Sequence, residues 1–149
     1  MTELTAELIV DRHSPQDVQI SPDEKQVAYT LAPLSKKEEH ATSVIWVAST
    51  DHAREARQFT SGEAHDHHAR WSSDGTQLAF LSDRAKRGTA QLYLIAADGG
   101  EALALTSTKN KKSVVEFTWS PGGGHIACFP NEHAVELVER QIVRQETQH

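Results

Sequence analysis

One pattern of about ten residues occurs three times in this chain. Ile20-Ser21-Pro22-Asp23 with Val27-Ala28-Tyr29 aligns with Trp71-Ser72-Ser73-Asp74 and Leu78-Ala79-Phe80. Both align with Trp119-Ser120-Pro121-Gly122 and Ile126-Ala127-Cys128. The three starts lie 51 and 48 residues apart. Val44-Ile45-Trp46-Val47 recurs 47 residues on as Gln91-Leu92-Tyr93-Leu94, and Glu55 to Thr60 recurs 46 residues on as Glu101 to Thr106. Self-similarity at a fixed spacing means stacked units, none of which buries its apolar faces alone.

The middle unit shows what each one is. His68 to Ser72 reads as a first strand, Gln77 to Ser82 as a second, Gln91 to Ala96 as a third and Ala102 to Thr106 as a fourth. Asp74-Gly75 reads as a two-residue hairpin of type I′, which requires positive φ at both central residues. Arg84 to Thr89 is a polar loop, and Asp98-Gly99-Gly100 another turn. Four strands per repeat of 45–50 residues is the spacing of propeller blades. The second strands are apolar on both faces, with Ala28, Ala79 or Ala127 between larger neighbours, which suits wedges stacked face to face.

The expected fold is all-β: a partial β-propeller of two to three four-stranded antiparallel blades. A lead-in covers 1–17, the first blade 18–62, the second 63–108, the start of a third 109–130, and a tail 131–149. Within the lead-in, Asp11 to Asp17 reads as loop and Val18 opens the first strand. In the tail, Asn131 is placed to cap a helix whose one face carries Val135, Val138 and Ile142. Read as strands, Ala134 to Val138 and Ile142 to Arg144 would instead be a degenerate third and fourth strand. Helix is the preferred expectation.

Lys and Arg number 15 against 21 Asp and Glu, a formal charge of −6, so nucleic acid is not an expected partner. The one basic run, Lys109 to Lys112, reads as a solvated loop between blades. The single cysteine, Cys128, forms no internal disulfide and reads as a small core residue. No run approaches the ~18 apolar residues of a membrane span, and the N-terminus lacks the basic and apolar regions of a secretory signal. A cytoplasmic location is the expectation, with no membrane partner.

The cluster His65, Asp66, His67 with His68 is a grouping of metal-ligand type. Its other reading is an exposed polar loop joining two blades, which is preferred, because adjacent His67 and His68 would point to opposite faces of an extended chain. No metal and no cofactor are expected.

The repeats resemble the WD40-like repeat of TolB and of the N-terminal propellers of the prolyl oligopeptidase family, in detail its acylaminoacyl-peptidase branch. The resemblance rests on Ile20-Ser21-Pro22-Asp23 with Val27 to Thr30, Ser43 to Val47, and Arg57 to Glu63. It continues through Arg70-Trp71-Ser72 to Asp83-Arg84, Gln91 to Leu94, Asp98 to Ala102 and Trp119-Ser120-Pro121. It implies a propeller that restricts access to a hydrolase domain bearing a Ser-Asp-His triad. No Gly-x-Ser-x-Gly elbow occurs in this sequence, so no catalytic residue is assigned.

The expected function is therefore a non-catalytic part of such a substrate-gating propeller, with peptide as the contact it would meet. The alternative is a free-standing interaction module. Two and a half blades leave two apolar faces open, where rings close at about 4–8 blades. Those faces are expected to be covered by self-association, by a hydrolase domain or partner chain, or by the tail.

Overall fold

The computed structural model describes residues 13–34, 40–107, 109, 112–131 and 134–141. The expectations for Thr2 to Val10, and for Ile142 to Arg144, lie outside these residues. Three antiparallel meanders make up the fold. The first sheet has β1 (His13–Ile20), β2 (Gln26–Pro33), β3 (Val44–Ser49) and β4 (Arg57–Gln58), hydrogen-bonded in that order. The second has β5 (Asp66–Trp71), β6 (Gln77–Ser82), β7 (Gln91–Ala96) and β8 (Leu103–Ala104). The third has β9 (Glu116–Trp119), β10 (His125–Asn131) and β11 (Ala134–Glu139), with β10 in the middle. All-β blades packed face to face are the arrangement of a partial propeller.

Alternation along each strand decides which side chains meet the neighbouring sheet. In the first sheet Ala28 pairs with Val47 and Thr30 with Ile45, so these share a face. They meet Trp71, Leu78, Phe80, Tyr93 and Ile95 of the second sheet in one core layer. The second sheet's other face carries Ala79, Leu81, Leu92 and Leu94, and meets Phe117, Ile126 and Cys128 of the third sheet in another. The middle sheet is thus buried on both sides, and β6 is buried at every residue. Ala28 and Ala79 lie on the face turned toward the next sheet, and Ala127 on the face of the third sheet turned away from the second; in the second sheet Trp71, Phe80 and Tyr93 crowd the face turned back.

Side chains repeat the same bonds. The backbone N–H of Ile45 donates to Thr60 Oγ1 at 3.0 Å, and that of Leu92 to Thr106 Oγ1 at 2.9 Å, which explains the recurring threonine. The indole of Trp71 donates to the Gln19 carbonyl at 3.0 Å, and that of Trp119 to the Arg70 carbonyl at 3.1 Å. Each indole therefore ties its sheet to the innermost strand of the sheet before.

Four expectations are corrected. β1 begins at His13, because Ser14 to Gln16 find partners in Thr30 to Ala32, and Pro15 is tolerated on an edge strand. β5 begins at Asp66, so the joining loop expected over 61–69 is strand from Asp66 onward, and Asp66 is fully buried. The Asp74-Gly75 turn is not of type I′: only Gly75 has positive φ, at 71°. The loop is longer, closed by Gly75 N–H to Ser72 O at 2.9 Å and Ser72 N–H to Gln77 O at 2.8 Å. Within it Ser72 Oγ donates to Asp74 and accepts from Gln77 N–H, side-chain bonds that hold a four-residue connection. Finally, Ala134–Glu139 is strand rather than helix, since pairing with β10 satisfies its backbone along the sheet. It does not lie across an open face.

Candidate functional site

The innermost strands β1, β5 and β9 line one edge of the stack. Each of the first two carries an extra residue at the same place. The ladder slips between Gln16 and Gln19 in β1 and between His67 and Arg70 in β5. Within those bulges Asp17 and His68 adopt φ of 54° and 61°, values that side chains rarely take. A bulge turns a side chain out of the strand's alternation. Here it turns both toward the inner edge, 51 residues apart in the sequence, as Ile20 is from Trp71.

These side chains pair across sheets. Arg70 Nη1 lies 2.8 Å from Asp17 Oδ2, joining the second sheet to the first. His68 Nε2 lies 2.5 Å from Glu116 Oε1, joining the second to the third. Burial pulls the Asp17 carboxyl upward, but the bond and charge of Arg70 outweigh it and leave it below the usual range. The His68 ring also stands edge-on to Phe117, 5.2 Å between centres. Beside this row opens a cleft of about 410 Å³, lined by Gln19, Ile20, His68, Arg70, Trp71 and Trp119 among others. Acid, base and aromatic surface thus meet in a groove of a size that takes a small ligand or a peptide segment.

Asp17, Arg70 and Glu116 carried no expectation from the sequence. The signal was present: residues 17, 68 and 116 each stand three places before Ile20, Trp71 and Trp119.

The His65–Asp66–His67 cluster lies elsewhere, at the seam between the first two sheets. His65 and His67 share one side of the chain, rings stacked with centres 3.9 Å apart. Asp66 points the other way, to Arg84 at 3.2 Å, with its Oδ1 buried and unpartnered. Strand alternation therefore separates the carboxylate from the two imidazoles. Among the described residues no group of three or more His, Cys, Asp or Glu is placed to hold a metal ion.

Ser43 Oγ, nearly fully buried, sits 2.8 Å from His65 Nδ1 and donates to the Asp66 carbonyl at 2.6 Å. Its single proton is spent on that carbonyl, so His65 Nδ1–H donates to the hydroxyl and does not activate it as a nucleophile. Burial lowers the affinity of both imidazoles for a proton, and for His67 the charge of His65 adds to it.

No family model matches the chain. Over 123 residues, 83% of its length, it is 37% identical to an uncharacterized peptidase of Bacillus subtilis, YuxL. That stretch is 18% of the relative, so the chain spans under a fifth of it. TolB from Acinetobacter baumannii superposes with a TM-score of 0.58 at 24% identity, over 80% of this chain and 28% of TolB. Acylaminoacyl peptidase from Pyrococcus horikoshii superposes with 0.58 at 16% identity, over 78% of this chain and 17% of the enzyme. Oligogalacturonate lyase from Vibrio parahaemolyticus gives 0.56 at 15% identity, over 85% and 36%. The chain shares the fold of the matched parts of these three solved structures. No helix among the described residues is long and apolar enough to cross a membrane.

Proposed function

We propose that these sheets are part of the access wall of a peptidase-type propeller, which meets and orients peptides while the bond-breaking chemistry is done elsewhere. The observation that carries this reading is the row of Asp17–Arg70 and His68–Glu116 pairs crossing three inner strands beside an open cleft. An extended peptide offers one carboxylate, one ammonium and a run of N–H and C=O groups. Arg70 and Glu116 match its end charges in kind, and the rings of Trp71 and Trp119, whose N–H groups are already bonded, offer it apolar contact. The peptidase name of the Bacillus subtilis relative supports the same reading.

The test uses the chain with short acylated and free peptides. Binding is followed by the indole N–H resonances of Trp71 and Trp119, and cleavage by product analysis. The expected result is weak binding that Glu116→Gln or Arg70→Gln reduces, without turnover. Turnover by the chain, or indole resonances that no peptide moves, would overturn it. A second reading, a free-standing interaction module, draws on the exposed apolar side chains Ile20, Val135 and Leu137 of the outer sheets.

A further inference from the structure

The two outward faces of the stack match faces that the chain itself buries. On the first sheet Ile20 pairs with Val27, Val27 with Ala48 and Tyr29 with Trp46, which places all five on the face away from the second sheet. By repeat and register they are the counterparts of Trp71, Leu78, Ile95, Phe80 and Tyr93, the back face of the second sheet. On the third sheet Ala127 pairs with Leu137. Strand alternation puts Phe129 and Val135 on the same side. Those four are the counterparts of Ala79, Leu94, Leu81 and Leu92, the front face of the second sheet. Yet Ile20 is 61% exposed, Val135 61% and Leu137 66%.

We propose that a second copy of this chain docks head to tail, the third sheet of each copy against the first sheet of the other, closing a ring of six sheets. The pairing repeats what is seen twice inside the chain, a front face built around alanine against a back face rich in aromatics. Six sheets fall within the ~4–8 of closed propellers. Area agrees as well. With strands about 4.8 Å apart and about 3.3 Å per residue, the four-stranded face covers roughly 380 Å² and the three-stranded one roughly 280 Å². The smaller face limits each contact, so two contacts per ring bury about 1,100 Å² in all, above the ~1,000 Å² that a specific interface needs. One element is missing: Ile20 stands where Trp71 and Trp119 supply the indole bond, so the Thr118 carbonyl, counterpart of Gln19 and Arg70, gains no donor across the docked face.

Light scattering after size exclusion tests this. The expected species is a dimer of twice 16.5 kDa. Ile20→Lys alone and Leu137→Lys alone each leave monomers, because each copy uses both faces. Mixed together, the two variants recover a dimer through the one contact that remains unaltered. Both side chains are exposed, and an unchanged far-ultraviolet circular dichroism spectrum verifies the fold of each variant. Ile20→Trp adds one indole bond at each of the two contacts and tightens the dimer by roughly 30-fold. A wild-type monomer, a ladder of open polymers, or variants that do not complement would each overturn the proposal. Mass is read independently of peptide binding, so failure here leaves the access-wall reading standing.

Discussion

Arg140 and Asp74 form a two-point ion pair between the third sheet and the second: Nη1 lies 3.0 Å from Oδ2, and Nη2 3.1 Å from Oδ1. Arg140 follows β11, Asp74 lies in the loop between β5 and β6, and the guanidinium also reaches Thr76 Oγ1 at 2.8 Å and bonds to the Gln77 side chain. It adds to the Trp119–Arg70 and His68–Glu116 bonds across a seam whose centre is apolar packing.

Arg140→Ala is therefore expected to lower stability by about 1–3 kcal/mol, read from the urea midpoint. Asp74 is half exposed, so about 1 M salt, which screens beyond roughly 3 Å, removes part of the difference. Arg140 first, then Thr76, hold the Asp74 carboxyl far below its ordinary 3.8. A carboxylate so lowered stabilises the fold above its unfolded value and loses that contribution as pH falls through the folded one. The gap between wild type and variant should be level from about pH 7 to 5 and close below about pH 4.

The turn that opens each second strand gives a graded set. Glu24, Gly75 and Gly123 occupy the same place, with φ of 62°, 71° and 74°. Glu24→Gly removes left-handed strain and is expected to raise stability by about 0.5 kcal/mol. Gly75→Ala costs about 1 kcal/mol from φ alone, since its nearest neighbour, Pro22 Cδ, would stand 3.5 Å from a Cβ. Gly123→Ala costs more, because the added carbon runs into Ser73 Oγ across the sheet boundary. Melting temperatures in that order confirm the assignment; equal losses for both glycines would contradict it.

Titration of the first seam follows from the stacked imidazoles. His65 and His67 are lowered from 6.5, chiefly by burial. The unfolded chain then binds protons more readily, so stability is greatest above about pH 6.5 and falls as pH drops toward the folded values. His67→Gln should flatten the dependence of the urea midpoint between about pH 7 and 5. A slope unchanged by that variant would place the proton uptake on other histidines.

How much of this was written in the sequence depends on the kind of bond involved. Ala28, Ala79, Ala127, Trp71 and Trp119 were legible, because packing between repeats constrains each strand the same way. The tail was not: Val135 and Val138 fit a helical face as well as a strand, and only the free edge of β10 decides between them. The Asp74-Gly75 loop misled because Ser72 and Asp74 side chains, not a second positive φ, close it. The bulges at Asp17 and His68 left no local mark, since both sit at positive φ without being glycine. Their shared place in the repeat was the only sign, and with it the charged row of the inner edge.

That inner edge also fixes what each indole contributes. Trp71 is 9% exposed and sits in the layer between the first two sheets, with its N–H on the Gln19 carbonyl. Trp71→Phe removes a donor and leaves space in a packed layer, so a loss of about 2–3 kcal/mol is expected. Trp119→Phe removes the bond to Arg70 from a more open position, and about 1–2 kcal/mol is expected. Trp119 has a further tie: the Arg140 guanidinium lies over its ring at 5.5 Å. A double-mutant cycle between Trp119→Phe and Arg140→Ala should therefore give a coupling of about 0.5–1 kcal/mol. Strict additivity would mean that the guanidinium holds Asp74 without using the indole face.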